Sequence, residues 1–234
     1  MKYKILSWLV FSLLFFYSNI VEAKNIRLKD EFRKIVKVYT NSNKDPNNSI
    51  IIMASAIPIT DEYILTAGHF CEAVISKVIN QELESAFLNI DFLGNGDEKQ
   101  TIDKVEIFDY VHNDNNDICI LKKKNHNLKK VKFSKYYDYL EFGNKIYTVG
   151  CALGFFPPII TEGYITSIYT QEYPDTALNQ KLMISSSAAV GNSGGAIFNS
   201  NGEFIGILVL VNPQYHHIAF AIPMPKILEY LNSF

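Results

Sequence analysis

The amino-acid sequence predicts an all-β fold, a sandwich or a set of barrels, on three observations. Short runs rich in β-branched residues recur along most of the chain, separated by polar turns. Some of those turns, such as Gly94-Asn95-Gly96 and Asn201-Gly202, carry the residues that hairpins favour. Helical periodicity stands out only at residues 225–234, where Ile227, Leu228 and Leu231 share one face fit to dock on a core.

Taken in order, residues 1–23 begin with Lys2 and Lys4, continue through an apolar stretch, and close on Val21-Glu22-Ala23. That pattern is expected of a secretory signal peptide cleaved after Ala23. An uncleaved anchor is the alternative, but the apolar run is short and is interrupted by Ser7, Ser12, Ser18 and Asn19. Removing Lys2, Lys4 and Glu22 leaves 20 basic and 23 acidic residues. So even a balance suggests neither a nucleic-acid binder nor, after cleavage, a membrane-surface protein. The remaining length suffices for one large all-β domain or two small barrels sharing a core.

A first set of strands is expected at 35–39, 49–57, 62–66, 87–93, 105–111 and 117–121. A second set is expected at 145–149, 161–169, 182–185, 196–198 and 204–211. Between the sets, residues 122–139 are rich in lysine and tyrosine and read as a solvated linker rather than a binding patch. Cys71, Cys119 and Cys151 each sit in an apolar setting and read as buried free thiols, with a Cys71–Cys119 disulfide as the alternative, since Cys71 follows His69 and Cys119 follows Asp117 by two positions. Neither a disulfide framework nor a Cys/His metal spacing is evident.

Three motifs carry chemistry. In Gly191-Asn192-Ser193-Gly194-Gly195 a serine is set among glycines, which admit tight turns and close approach of a substrate. With Asn192 between them, the N–H groups of Gly191 and Ser193 could point to one spot, as an oxyanion hole requires. A serine hydroxyl also needs a base. Thr66-Ala67-Gly68-His69 follows directly on a strand, a small-residue approach that His112, His126, His216 and His217 lack. Imidazole titrates near neutrality and can take the serine proton, then give it to a leaving amine. Asp117 opens the apolar run Asp117-Ile118-Cys119-Ile120-Leu121, where a carboxylate is half buried and can orient an imidazole. Asp114 is the competitor, but polar residues follow it.

Together these three motifs resemble the chymotrypsin-like serine proteases, and the bacterial exported, Deg-type branch most closely. Val149-Gly150-Cys151-Ala152-Leu153-Gly154 is similar to that branch's strand opening the second barrel, and Phe220-Ala221-Ile222-Pro223 to its closing strand. The resemblance implies two six-stranded antiparallel barrels, at about 24–130 and 140–223, followed by the helix at 225–234. It implies catalytic His69, Asp117 and Ser193 in the cleft between them, with an oxyanion hole formed by Gly191 and Ser193. The reaction implied is hydrolysis of protein or peptide substrates through an acyl-enzyme, with no metal or organic cofactor.

The chain departs from the family in places. Cys71 is offset from the cysteine of the animal enzymes. Asn192 stands where the digestive enzymes carry an aspartate that pairs with a freed N-terminus, so activation by that salt bridge is not expected. Only eleven residues follow Pro223, so the PDZ domain of Deg-type proteases is not expected either. By the resemblance, Ser187 lies at the base of the substrate pocket, followed by Ala188. With no carboxylate between Leu182 and Ser193, the expectation is a small or medium apolar residue before the scissile bond. An acidic residue neutralised by His216 or His217 is the rival. A second reading of the whole chain is a binding or scaffolding module on the same fold, its chemistry lost.

Overall fold

The computed structural model describes residues 29–41, 50–80, 83, 88–93, 100–113, 115–124, 128–135, 140–167, 181–211 and 217–233. The expected signal peptide, His126, Asp114, His216 and the turn at 94–96 lie outside them. Six antiparallel strands close the first barrel in the order β1-β2-β3-β6-β5-β4. They are β1 (Val36–Asn41), β2 (Ile50–Pro58), β3 (Tyr63–Thr66), β4 (Leu88–Leu93), β5 (Gln100–His112) and β6 (Asp117–Lys123). The second barrel runs β10-β11-β12-β9-β8-β7. Its strands are β7 (Lys145–Gly150), β8 (Ile159–Ser167), β9 (Leu182–Ser185), β10 (Ala196–Asn199), β11 (Phe204–Val211) and β12 (Ile218–Pro223).

Side chains alternate across a strand, and this divides the apolar residues among three cores. On β6, Cys119 and Leu121 point into the first barrel, while Ile118 and Ile120 point out to a core shared with the second. On β10, Ile197 fills the second barrel, while Ala196 and Phe198 join the shared core. The barrels are therefore held face to face by strands that are apolar on both sides. The turn between β10 and β11 forms as its residues suggest. Gly202 takes a φ of +71°, and Asn199 Oδ1 accepts the N–H groups of Asn201 and Glu203.

Two readings of the sequence are corrected here. Residues 68–79 form a helix, α1 (Gly68–Ile79), beside the expected one, which is α2 (Met224–Leu231). Phe70, Cys71 and Val74 recur at helical spacing and are buried, but Val74, Ile75, Val78 and Ile79 give the run a strand-like composition. The segment 122–139 is not simply a solvated linker. Lys123 is fully buried and pairs with Asp103 at 2.6 Å. Further on, Leu128 and Val131 are buried, Val131 N–H donates to Pro58 O, and Lys132 pairs with Glu203 at 2.6 Å. Apolar residues interleaved among the lysines dock this stretch on both barrels while the ammonium groups stay in reach of water or a carboxylate.

Candidate active site

His69 lies in the first turn of α1, whose start is pressed against β5 and β6. A Cβ on Gly68 would stand 2.1 Å from Val111 O and 2.8 Å from Ile118 N, so only glycine fits there. The neighbouring β6 begins with Asp117, paired across the ladder with His112 of β5. One carboxylate then makes two bonds to one residue. His69 N–H donates to Asp117 Oδ1 at 2.7 Å, and His69 Nδ1 lies 2.8 Å from Asp117 Oδ2. Ala67, at the N-cap, has no side chain to offer the helix, so a carboxylate from another strand takes that task and also favours the helix dipole. The Asp117 side chain is 9% exposed and that of His69 34%, so the carboxylate is enclosed and the imidazole opens to the surface. With Nδ1–H given to the carboxylate, Nε2 carries the lone pair of the neutral ring.

Ser193 lies on the segment joining β9 to β10. Its position relative to His69 is set by backbone approach. Gly194 has a φ of +77°, and a Cβ there would meet Ser55 O at 2.2 Å, Thr66 Oγ1 at 2.3 Å and Ala67 N at 2.9 Å. The serine loop therefore lies directly on the chain leading into His69. Gly191, with φ +93°, follows Val190, whose carbonyl accepts from Leu153 N–H at 2.7 Å. Asn192 N–H closes the turn on Ala189 O. Among the described residues the N–H groups of Gly191 and Ser193 donate to no group in the protein, and Ser193 Oγ makes no hydrogen bond, to His69 or elsewhere.

Sequence reasoning missed Ser55, which ties this loop to the first barrel. Its N–H donates to Ser193 O at 2.8 Å, and its Oγ donates to Gly191 O at 2.7 Å. The same Oγ accepts from Cys151 N–H at 2.7 Å, and Ser55 O accepts from Thr66 Oγ1 at 2.7 Å. The available signal was a single hydroxyl within the otherwise apolar strand β2. His112 was also undervalued. Its Nδ1 lies 2.6 Å from Glu72 Oε2, and its ring sits edge-on to that of His69 with centroids 5.9 Å apart.

The cysteines differ from expectation. Cys71 and Cys119 form a disulfide, which the sequence reading took for two free thiols. The bond spans 48 residues of sequence and forms where α1 lies along β6. Cys151 is free and buried, and burial pushes its thiol up to about 12.

Of the expected pocket residues, Ser187 is exposed and its carbonyl accepts from Thr161 Oγ1 at 3.2 Å. Ala188 is half-buried against the core of the second barrel. His217 is exposed, and its carbonyl accepts from Ser186 N–H at 2.9 Å. Asn192 is buried with its Oδ1 unpartnered and packed against Gly150. Among the described residues no cluster of three metal-ligating side chains occurs, and no helix is long and apolar enough to cross a membrane.

A family model described as a trypsin-like peptidase domain matches residues 54–207. The serine protease HtrA-like of Staphylococcus haemolyticus is 33% identical over 125 residues, 48% of this chain and 19% of that protein. The probable periplasmic serine endoprotease DegP-like of Buchnera aphidicola is 35% identical over 127 residues, 49% of this chain and 26% of that protein. The matched region thus spans a minor part of each relative's length. Among solved structures, the serine endoprotease from Yersinia pestis superposes with a TM-score of 0.66 at 20% identity, covering 90% of this chain and 65% of that one. Deg5 gives a TM-score of 0.67 at 17% identity, covering 89% of this chain and 92% of that one. At such identities the structural likeness speaks for the fold.

Proposed function

The chain belongs to the trypsin-like peptidase domain family, and from that premise we propose that it is an exported serine endopeptidase. The observation that carries the proposal is the doubly bonded His69–Asp117 pair, with the Gly194 backbone lying against Thr66 and Ala67 just before it. Ser193 Oγ attacks the scissile carbonyl as His69 Nε2 takes its proton. Asp117 holds the imidazole in the tautomer that can accept and stabilises the imidazolium that forms. The oxyanion is received by the N–H groups of Gly191 and Ser193, which have no other acceptor among the described residues. His69 then protonates the leaving amine, and water, activated by the same imidazole, hydrolyses the acyl-enzyme. The side chain before the scissile bond is small or medium and apolar, received near Ser187 and Ala188, because the stretch from Leu182 to Ser193 holds no carboxylate to compensate a buried cation. Export follows from the leader at residues 1–23, and the periplasmic relative agrees with it.

One observation favours the second reading, a binding module. Ser193 Oγ makes no hydrogen bond to His69. Such bonds are often long before substrate binds and tighten in the complex, so the peptidase reading stands first. A fluorophosphonate probe decides between them. The mature protein should be labelled at Ser193, with labelling and peptidase activity both lost in Ser193→Ala and with the fold kept. An unlabelled, folded wild type would leave the binding module.

A further inference from the structure

We propose that the Cys71–Cys119 disulfide is a positioning device for the His69–Asp117 pair and not only a staple of the fold. Cys71 follows His69 by two residues on α1, and Cys119 follows Asp117 by two residues on β6. On a strand, residues two apart face the same side, so Asp117 and Cys119 present one face of β6 to the helix. The first turn of α1 is thus tied to that face at two successive places. At the first, His69 meets Asp117 through its N–H and its ring. Half a turn later, Cys71 meets Cys119 through a covalent bond. Gly68, with no room for a Cβ against Val111 and Ile118, closes the clamp from the other side of His69.

Apolar side chains also anchor α1, one of them in the first turn itself, since Phe70 lies between His69 and Cys71. Phe70 and Val74 are buried in the core of the first barrel, and Val78 packs against it. Those apolar contacts are non-directional, so they hold the helix on the barrel without by themselves fixing the His69 ring against Asp117. Ala67 provides no capping side chain, and no acidic residue lies in the first turn. The polar ties are the two hydrogen bonds to Asp117, on a histidine whose side chain is one-third exposed, and the more exposed Glu72–His112 pair just beyond Cys71. A shift of about 1 Å in a reacting group costs on the order of 100-fold in rate. Both sulfurs are fully buried, so the bond is placed to act as a permanent brace.

The kinetic part of the proposal rests on the peptidase reading, and the spectroscopic part does not. The test compares wild type with Cys71→Ala/Cys119→Ala and with the volume-filling pair Cys71→Ala/Cys119→Val. Folding is monitored by circular dichroism and the His69 Nδ1–H resonance by proton NMR, far downfield where a His–Asp bond appears. In the folded variants kcat should fall roughly 10- to 100-fold with KM within about twofold, and the downfield resonance should broaden or vanish. A lower melting temperature with kcat and the resonance unchanged would overturn the proposal, since the bond would then serve stability alone. Failure of both pairs to fold would overturn it too, because the bond would be needed by the whole barrel. A wild type that shows the resonance but hydrolyses no peptide would defeat the peptidase reading, leaving the brace to be judged on the resonance.

Discussion

Replacing Ser55 by alanine removes one hydroxyl from the seam between the barrels, and the structure allows its cost to be worked out. Ser55 is fully buried, and its Oγ serves two backbone groups of the second barrel, Gly191 C=O and Cys151 N–H, each at 2.7 Å. Both lose their partner in Ser55→Ala. A buried polar group left unsatisfied costs about 1–3 kcal/mol, so the pair sums to about 2–6 kcal/mol. The low end applies if a water enters, but the void left by one oxygen is at the limit of what a water needs. A second consequence is kinetic. Gly191 N–H is held between two fixed carbonyls, that of Val190 on Leu153 and that of Gly191 on Ser55. Freeing one loosens the proposed oxyanion donor without deleting it. Deleting such a donor costs about 10²- to 10³-fold in kcat, so loosening it should cost roughly tenfold, with KM little changed. Urea denaturation gives the stability change, and peptidase assays well below the unfolding temperature give the kinetic one. A loss under about 0.5 kcal/mol, the range of ordinary surface substitutions, with kcat unchanged would refute the claim that Ser55 holds this loop.

Other consequences follow from single residues. Gly194→Ala places a methyl 2.2 Å from Ser55 O at a φ of +77°, so it should abolish activity and lower the melting temperature sharply. Cys151, its thiol pushed up to about 12 by burial, should ignore Ellman's reagent in the native protein at pH 8 and react once unfolded. Because its folded value lies above the ordinary 9.0, the unfolded chain releases this proton first, and stability should fall as pH rises from 9.0 towards about 12. Urea midpoints at pH 8 and 10 should show that fall in wild type and a shallower one in Cys151→Ala. Tyr230→Phe removes the bond from the C-terminal helix to Asp109 and should cost about 1–2 kcal/mol, read by the same denaturation.

What could be read in the sequence was local. The strands carry their β-branched residues in runs, and Asn201-Gly202 turns the chain where such a pair should. His69 and Asp117 stood out because each adjoins a strand terminus beside residues of a distinct kind, and the barrel brings those termini together. What escaped was non-local or doubly patterned. The run at 68–79 meets both helical and strand criteria, and its burial against β5 and β6 decides for the helix. The equal offset of Cys71 from His69 and of Cys119 from Asp117 made a disulfide an alternative to free thiols, but without the helix nothing favoured it, and Glu72 had no visible route to His112. Ser55 looked like one polar residue in an apolar strand, since its partners come from the other barrel.

The seam between the barrels explains why those omissions fall together. Few side chains bridge the serine loop to the first barrel. The contact is backbone against backbone, with Gly194 on Ser55 and Ala67, and Ser193 O on Ser55 N–H. Close approach of this kind needs an absent Cβ on one side and a short hydroxyl on the other, and neither feature has a sequence period to reveal it. Its advantage is positional, because backbone atoms have no rotamers to lose and no χ angle through which to drift. A site held in this way tolerates change in the loops that receive a substrate, while the loop bearing Ser193 stays in register with the turn bearing His69. The proposed substrate preference at Ser187 and Ala188 is accordingly the part most open to alteration. Ser55, Thr66, Gly191 and Gly194 are the part where any change strikes folding and proposed catalysis at once.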